Sequence, residues 1–275
     1  MAIKRVLLPI HDDGSFEPLA STAFLLGEMF SAEVEGLFVQ SEALLVPMFE
    51  GPISREEEFF TVGAVQGKRR AIAARAESVF KASAKRFPHV ESKFHSLVGD
   101  FAPLFIRHGR LADISVICSQ YNFDGTFWTD VQHATLFLSG HPVLLVSSSP
   151  SKSHFEKVVI AWKESLEAAR AIAAAQPLLA KAEEVHLITV DDGSSAVNSL
   201  REVEEYLLLH YGGVSSKFLP DGSQFAGAQL LEHAQSLDAL LVMGAFSHPR
   251  FKEVILGGAT DYVLRKATVP VLMMH

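Results

Sequence analysis

The chain has 275 residues, 48% of them hydrophobic, enough to bury one large core or two of ordinary size. Its formal net charge of -8 argues against a nucleic-acid footprint, which needs clustered Lys and Arg to displace counterions from a polyanion. A single cysteine, Cys118, excludes an internal disulfide framework, and no stretch of about 18 apolar residues marks a membrane span.

The first residues, Met1 to Arg5, lead directly into a strand-like run ending at Pro9, too short for the apolar region of a signal peptide. The expectation is a soluble, cytoplasmic protein with no nucleic-acid partner and no membrane partner. Residues 41–71 then form an insertion between the second strand and its following helix, carrying Leu44, Leu45, Met48, Phe49, Phe59, Phe60 and Gly63. Such a stretch either covers a pocket or partner surface or packs on its own domain. Further strands are expected at 90–94, 111–118 and 141–146, and residues 147–153, rich in Ser with one Pro, read as a linker.

Beyond the linker the same order returns. Residues 157–162 match 4–10, 214–218 echo 90–94, 237–243 parallel 111–118, and 269–274 parallel 141–146. Between these strands lie helical patterns at 166–180, 197–209, 225–235 and 261–267, with a further strand at 185–190. Strands alternating with helices call for a parallel sheet covered on both faces. The predicted fold class is therefore α/β: two doubly wound, five-stranded parallel-sheet domains, 1–148 and 154–275.

The stretch 240–275 carries the most chemistry. An apolar run at 240–243 stops at Gly244, a loop follows with Ser247, His248, Pro249 and Arg250, and Gly257-Gly258-Ala259-Thr260 opens the last helix. Glycines before a helix let backbone approach a ligand, and the free N–H groups of the first turn suit phosphate. In doubly wound sheets ligands bind beyond the carboxyl ends of the strands, where strand order reverses, so the turn at Ala161, Trp162 and Lys163 would face this loop. Each residue also has a plain structural reading. Glycines can simply enter a helix, Ser247 can cap a turn instead of holding a ribose, and His248 and Arg250 can be solvated instead of touching phosphate. Trp162 can pack on the core instead of stacking on a base, and Asp191 and Asp192 can form a turn instead of holding a ribose or a metal.

The spacing of this loop resembles the nucleotide signature of the universal stress protein family, Gly-x-x-Gly, nine residues, then Gly-Ser or Gly-Thr. Here Gly244-Ala245-Phe246-Ser247 fills the first part, residues 248–256 the spacer, and Gly257-Gly258 the end. Ser247 replaces the second glycine, Gly258 replaces the hydroxyl residue with Thr260 close by, and Lys163 stands where the family commonly places an aspartate at the base end of the nucleotide. The resemblance implies a tandem universal stress protein that binds ATP in its C-terminal domain, with Mg²⁺ on the phosphates, and acts in stress-response regulation. It equally allows a scaffold acting through an unknown protein partner, since part of the family binds no nucleotide. It also implies pairing of the two closing strands, as a pseudo-dimer within the chain or between chains of a homodimer.

The N-terminal copy has a shorter loop without the glycines. The aligned prolines, Pro142 and Pro270, put Thr129 and Asp130 where the second copy has Gly257 and Gly258, and Phe123, Phe127 and Trp128 would fill the space a nucleotide needs. No nucleotide is expected there. Nothing in the sequence carries a nucleophile elbow, a Walker-type loop or metal-ligand histidine spacing. The reading is binding and not catalysis, with slow Mg²⁺-assisted hydrolysis as the furthest enzymatic extension.

Overall fold

The computed structural model describes residues 2–11, 16–41, 55–119, 126–147, 155–191, 194–220, 225–245 and 258–275. The first half runs β1 (Arg5–Ile10), α1 (Phe16–Phe30), β2 (Glu33–Gln40), α2 (Arg55–Ala84), β3 (Ser92–Val98), α3 (Phe101–Gly109), β4 (Ile114–Cys118), α4 (Thr126–Leu138) and β5 (Val143–Val146). The second repeats this order as β6 (Lys157–Ala161), α5 (Leu166–Leu179), β7 (Glu184–Asp191), α6 (Ser194–Leu208), β8 (Val214–Pro220), α7 (Ala226–Ser236), β9 (Leu240–Gly244), α8 (Ala259–Lys266) and β10 (Val271–Met274).

All ten strands form one sheet in the order β3-β2-β1-β4-β5-β10-β9-β6-β7-β8. Every neighbouring pair is parallel except β5 and β10, which run antiparallel with Leu144 opposite Leu272. The expected pairing of closing strands thus occurs within the chain. Its physical cause is plain: β5 and β10 are short apolar strands, buried at Val143, Leu144, Leu145, Val271 and Leu272, and as free edges they would present unpaired N–H and C=O groups beside apolar side chains. Two further contacts cross the same boundary. The Ser119 hydroxyl, fully buried, donates to the Ala267 carbonyl at 3.1 Å, and the rings of Phe137 and His275 meet edge to face at 5.1 Å.

Two expectations change. Residues 55–71, read as part of an insertion before the helix, belong to the helix itself: α2 spans 30 residues where its counterpart α6 spans 15. Residues 42–54 of the proposed insertion, with Leu44, Met48 and Phe49, lie outside the described residues. The third strands also align two residues away from the expected match, since strand register sets Ser92, not Val90, opposite the counterpart of Val214. A two-residue shift preserves which side chains face which side of the sheet, so the pattern of faces is unaffected. Among the described residues no helix is long and apolar enough to cross a membrane.

The central pairing predicts one cooperative unit. Leu144→Ala should cost about 2–5 kcal/mol. Because Trp128 and Trp162 are the two tryptophans, one in each half, Trp162→Phe and Trp128→Phe backgrounds report the halves separately in chemical denaturation. Both transitions should move to lower denaturant together; a shift confined to the first half would show that the halves unfold independently.

Candidate functional site

In each half the strand order reverses between the first and fourth strands, so a crevice forms beyond their carboxyl ends. In the second half this crevice lies where β6 ends at Ala161 and β9 ends at Gly244. Ala161 and Met243 are register partners, which brings the turn after β6 beside the start of the loop after β9. Both sequence-predicted segments therefore meet.

The described residues here divide into packing and open positions. Gly244 is a packing glycine: a Cβ built on it would lie 2.6 Å from the Ala168 amide nitrogen and 2.7 Å from the Glu167 carbonyl carbon, so the first turn of α5 sits directly against it. That turn is capped by Ser165, whose side chain accepts from the Ala168 N–H at 3.2 Å. Gly258 is the opposite case. It is the residue before α8, with φ -88 and ψ 161, its backbone is accessible to any residue type, and a Cβ there would meet nothing within 4 Å. Among the described residues nothing demands a glycine at 258. Gly258, in the N-cap position of α8, has no side chain with which to cap the helix. The α8 entry is positioned by α7, where a Cβ on Gly227 would lie 2.7 Å from the Ala259 carbonyl oxygen. Thr260, in the first turn of α8, is 8% exposed and so largely buried. Asp261 in the same turn is paired with Arg265 at 3.0 Å, which moderates the negative charge it brings to the site.

Across the crevice, Trp162 is half-buried and packs on the core, and its indole N–H donates to the Ser199 hydroxyl at 2.9 Å. The ring is thereby held by α6, in agreement with the packing reading of this residue. Lys163 is exposed. Ser247, His248, Arg250 and Gly257 lie outside the described residues, as do Asp192 and Phe123, and the side chain of Asp191 is likewise not described.

The first half's crevice is filled. Strand register pairs Arg5 with Glu33 and Lys157 with Glu184, which places His11 at the position of Lys163. The His11 ring stacks on Phe127 at 4.1 Å between centroids, and Phe127 packs edge to face on Trp128, Phe101 and Phe105. Phe127 and Trp128 are each 4% exposed. Helix α4 begins at Thr126, five residues earlier than α8 in the proline register, so Thr129 and Asp130 lie inside a helix and not in a ligand loop.

Among the described residues acid–base chemistry is not concentrated at either crevice. Cys118, buried at the end of β4, has its carbonyl bound by the Gln132 side-chain amide at 2.8 Å. Among the described residues no group of three or more His, Cys, Asp or Glu is arranged to hold a metal ion. Among the described residues the groups whose pKa departs from ordinary values are Glu184, Tyr211 and His233, and Glu184 and His233 lie at the amino ends of the second-half strands, away from the crevice. A hydrogen bond from Lys157, then one from His186, lowers Glu184, while burial raises Tyr211. Burial, and then the charges of Lys217 and His186, lower His233.

Two predictions follow from these geometries. Gly244→Ala should destabilise the fold by about 1–3 kcal/mol through overpacking against α5, whereas Gly258→Ala should stay within about 0.5 kcal/mol of the parent in the same denaturation measurement. Because His233 is lowered in the folded state, its contribution to stability is present above about pH 6.5 and fades as pH falls through its lower folded value. His233→Gln should flatten that acid-side decline in a series of melting curves.

Comparison with known proteins agrees with this architecture. Residues 221–275 match the model described as the universal stress protein family. A search of curated proteins gives no match. Among solved structures, a universal stress protein from Archaeoglobus fulgidus DSM 4304 is similar over 98% of this chain and 95% of its own, with 17% identity and a TM-score of 0.71. A functionally unknown protein from Pseudomonas aeruginosa PAO1 is similar over 99% of this chain and 92% of its own, with 15% identity and a TM-score of 0.62. A universal stress protein solved in complex with cAMP covers 54% of this chain with all of its own, at 15% identity and a TM-score of 0.35, too slight a likeness to carry its ligand across. Over nearly its whole length the chain has the fold of a solved universal stress protein, and its residues 221–275 match the model of the universal stress protein family.

Proposed function

We propose that the chain is a tandem universal stress protein of two domains, 1–148 and 154–275, whose second domain binds ATP or a related adenine nucleotide and whose bound state modulates a stress response. The observation that supports this reading most directly is the start of α8: a helix whose N-cap is a glycine that no packing among the described residues requires, at the switch point of a doubly wound half-sheet. The phosphates would rest on the amides of Gly258, Ala259 and Thr260, with Gly257 completing the turn and Mg²⁺ carried by the phosphates. Ser247 would lie near the ribose, His248 and Arg250 near the phosphates, and the turn at Ala161, Trp162 and Lys163 near the base. Gly244 would serve the site indirectly, by letting α5 close against the base of the loop. The first domain would take no nucleotide, because aromatic side chains occupy its crevice.

A second reading, a scaffold that acts on a protein partner without nucleotide, is favoured by the exposed cation Lys163 at the base end of the crevice. Acid extraction of freshly purified protein, with chromatography of the supernatant, and calorimetric titration with ATP and Mg²⁺ separate the two. One nucleotide per chain, with affinity at least about tenfold weaker in Gly258→Asp and an unchanged melting temperature, is the expected result. Absence of nucleotide and of binding heat would overturn the nucleotide reading in favour of the scaffold.

A further inference from the structure

The first half carries a second concave site, at the opposite ends of its strands from the aromatic-filled crevice. A cleft of about 310 Å³ opens at the amino ends of β1, β2 and β3, beside the last turn of α3. Its floor is acidic. Glu33 and Glu35 alternate along β2 on the same face, and their side chains are only 12% and 6% exposed. Buried carboxylates require partners, and these have them. The Arg5 guanidinium approaches Glu33 at 3.3 Å and Glu35 at 3.8 Å, the Lys93 ammonium pairs with Glu33, and the His108 ring pairs with Glu35, with His95 at 3.8 Å from the same carboxylate.

The rim is cationic. The side chains of Arg5, Lys93 and His95 are 39%, 60% and 43% exposed, so the floor carboxylates hold their charged ends in place while leaving other N–H donors turned to the cleft. Arg107, exposed on α3, also lines the cleft and makes no ion pair with a described residue. Three fixed positive charges, Arg5, Lys93 and Arg107, face two carboxylates, a surplus of one cation before either histidine is protonated. On a chain of net charge -8 this is a local reversal of sign.

The second half supplies an internal comparison. Strand register equates Arg5 with Lys157, Glu33 with Glu184, Glu35 with His186 and His95 with Lys217. The aspartates Asp113 and Asp238, 125 residues apart, equate His108 with His233 and Arg107 with Glu232. The two clusters thus share a plan, but the second-half positions carry two lysines, Lys157 and Lys217, and two glutamates, Glu184 and Glu232, with Ser215 at the place of Lys93, so their fixed charges cancel. Arg107 and Lys93 are the two positions at which the first half gains positive charge.

We propose that this cleft binds a small dianion, a phosphate monoester or a dicarboxylate, with Arg107 and Lys93 as its principal charged contacts, His95 at its edge, and Arg5 and His108 held in position by the buried glutamates. The volume suits a small molecule and is near the lower limit for such sites. Charge-assisted contacts from a planar guanidinium and an ammonium match a phosphate or carboxylate.

The test is an NMR titration at constant pH and ionic strength with inorganic phosphate, and separately with succinate, following the imidazole signals of His95 and His108, assigned through His95→Gln and His108→Gln. Both signals should move saturably with at least one of the two anions, and the anion that acts identifies the ligand chemistry. Arg107→Glu, which imports the second-half residue at an exposed position, should weaken the response at least about tenfold while leaving the melting temperature unchanged, and Gly258→Asp should leave it intact. Signals that stay still with both anions, or that respond equally in Arg107→Glu, overturn the proposal. A response lost in Gly258→Asp but not in Arg107→Glu would assign the anion to the loop before α8 instead.

Discussion

The antiparallel pairing of β5 with β10 is the constraint on which the rest of the molecule depends. Each half alone would end in a short strand whose outer edge is apolar and unpaired, and neither half could leave that edge in water without inviting association. Joining them makes one ten-stranded sheet whose free edges, β3 and β8, are partly exposed strands bearing Lys93 and Lys217. Charge at an edge discourages further strand addition, so the apolar edges are internal and the polar ones external.

The same pairing fixes where ligands can be held. Because the halves are joined at their last strands, each keeps its own strand reversal, and the molecule has two crevices of common ancestry in geometry but different content. One is packed by His11, Phe127 and Trp128 and adds to the core. The other ends at a helix whose N-cap is a glycine with no described neighbour in its way. The first adds aromatic packing to the core, while the second forgoes a capping side chain at Gly258.

Much of this architecture was legible in the sequence, for a definite reason. Parallel strands buried on both faces are written as continuous apolar runs, and 240–243, 143–146 and 158–161 are such runs, so the repeat and its strand order could be read from one half to the other. Helix α2 was less legible. Gly63 and Gly67 interrupt its sequence, and glycine inside a helix lowers any expectation of one, yet the helix continues through both to Ala84. The site was legible in placement and less so in role. A glycine that a neighbouring helix needs and a glycine that a ligand needs look alike in sequence, and only the contacts of Gly244 with α5 and the empty space at Gly258 separate them. The ionic cleft was invisible for another reason: Arg5, Glu35, Lys93 and His108 span more than a hundred positions, and only strand register brings them together.

The aromatic filling of one crevice also changes what the doubled chain can do compared with a dimer of identical subunits. Identical subunits carry identical sites, and each occupied site can influence its twin, so saturation can be steepened or flattened by their coupling. Here aromatic side chains stand in the first crevice, so the two crevices are unlike. Whatever ligand the second crevice takes would saturate as a single independent site, with a simple hyperbolic curve and no cooperativity of the ligand with itself. Freed from symmetry, the two halves can accept substitutions separately, and any coupling they retain must run between unlike ligands.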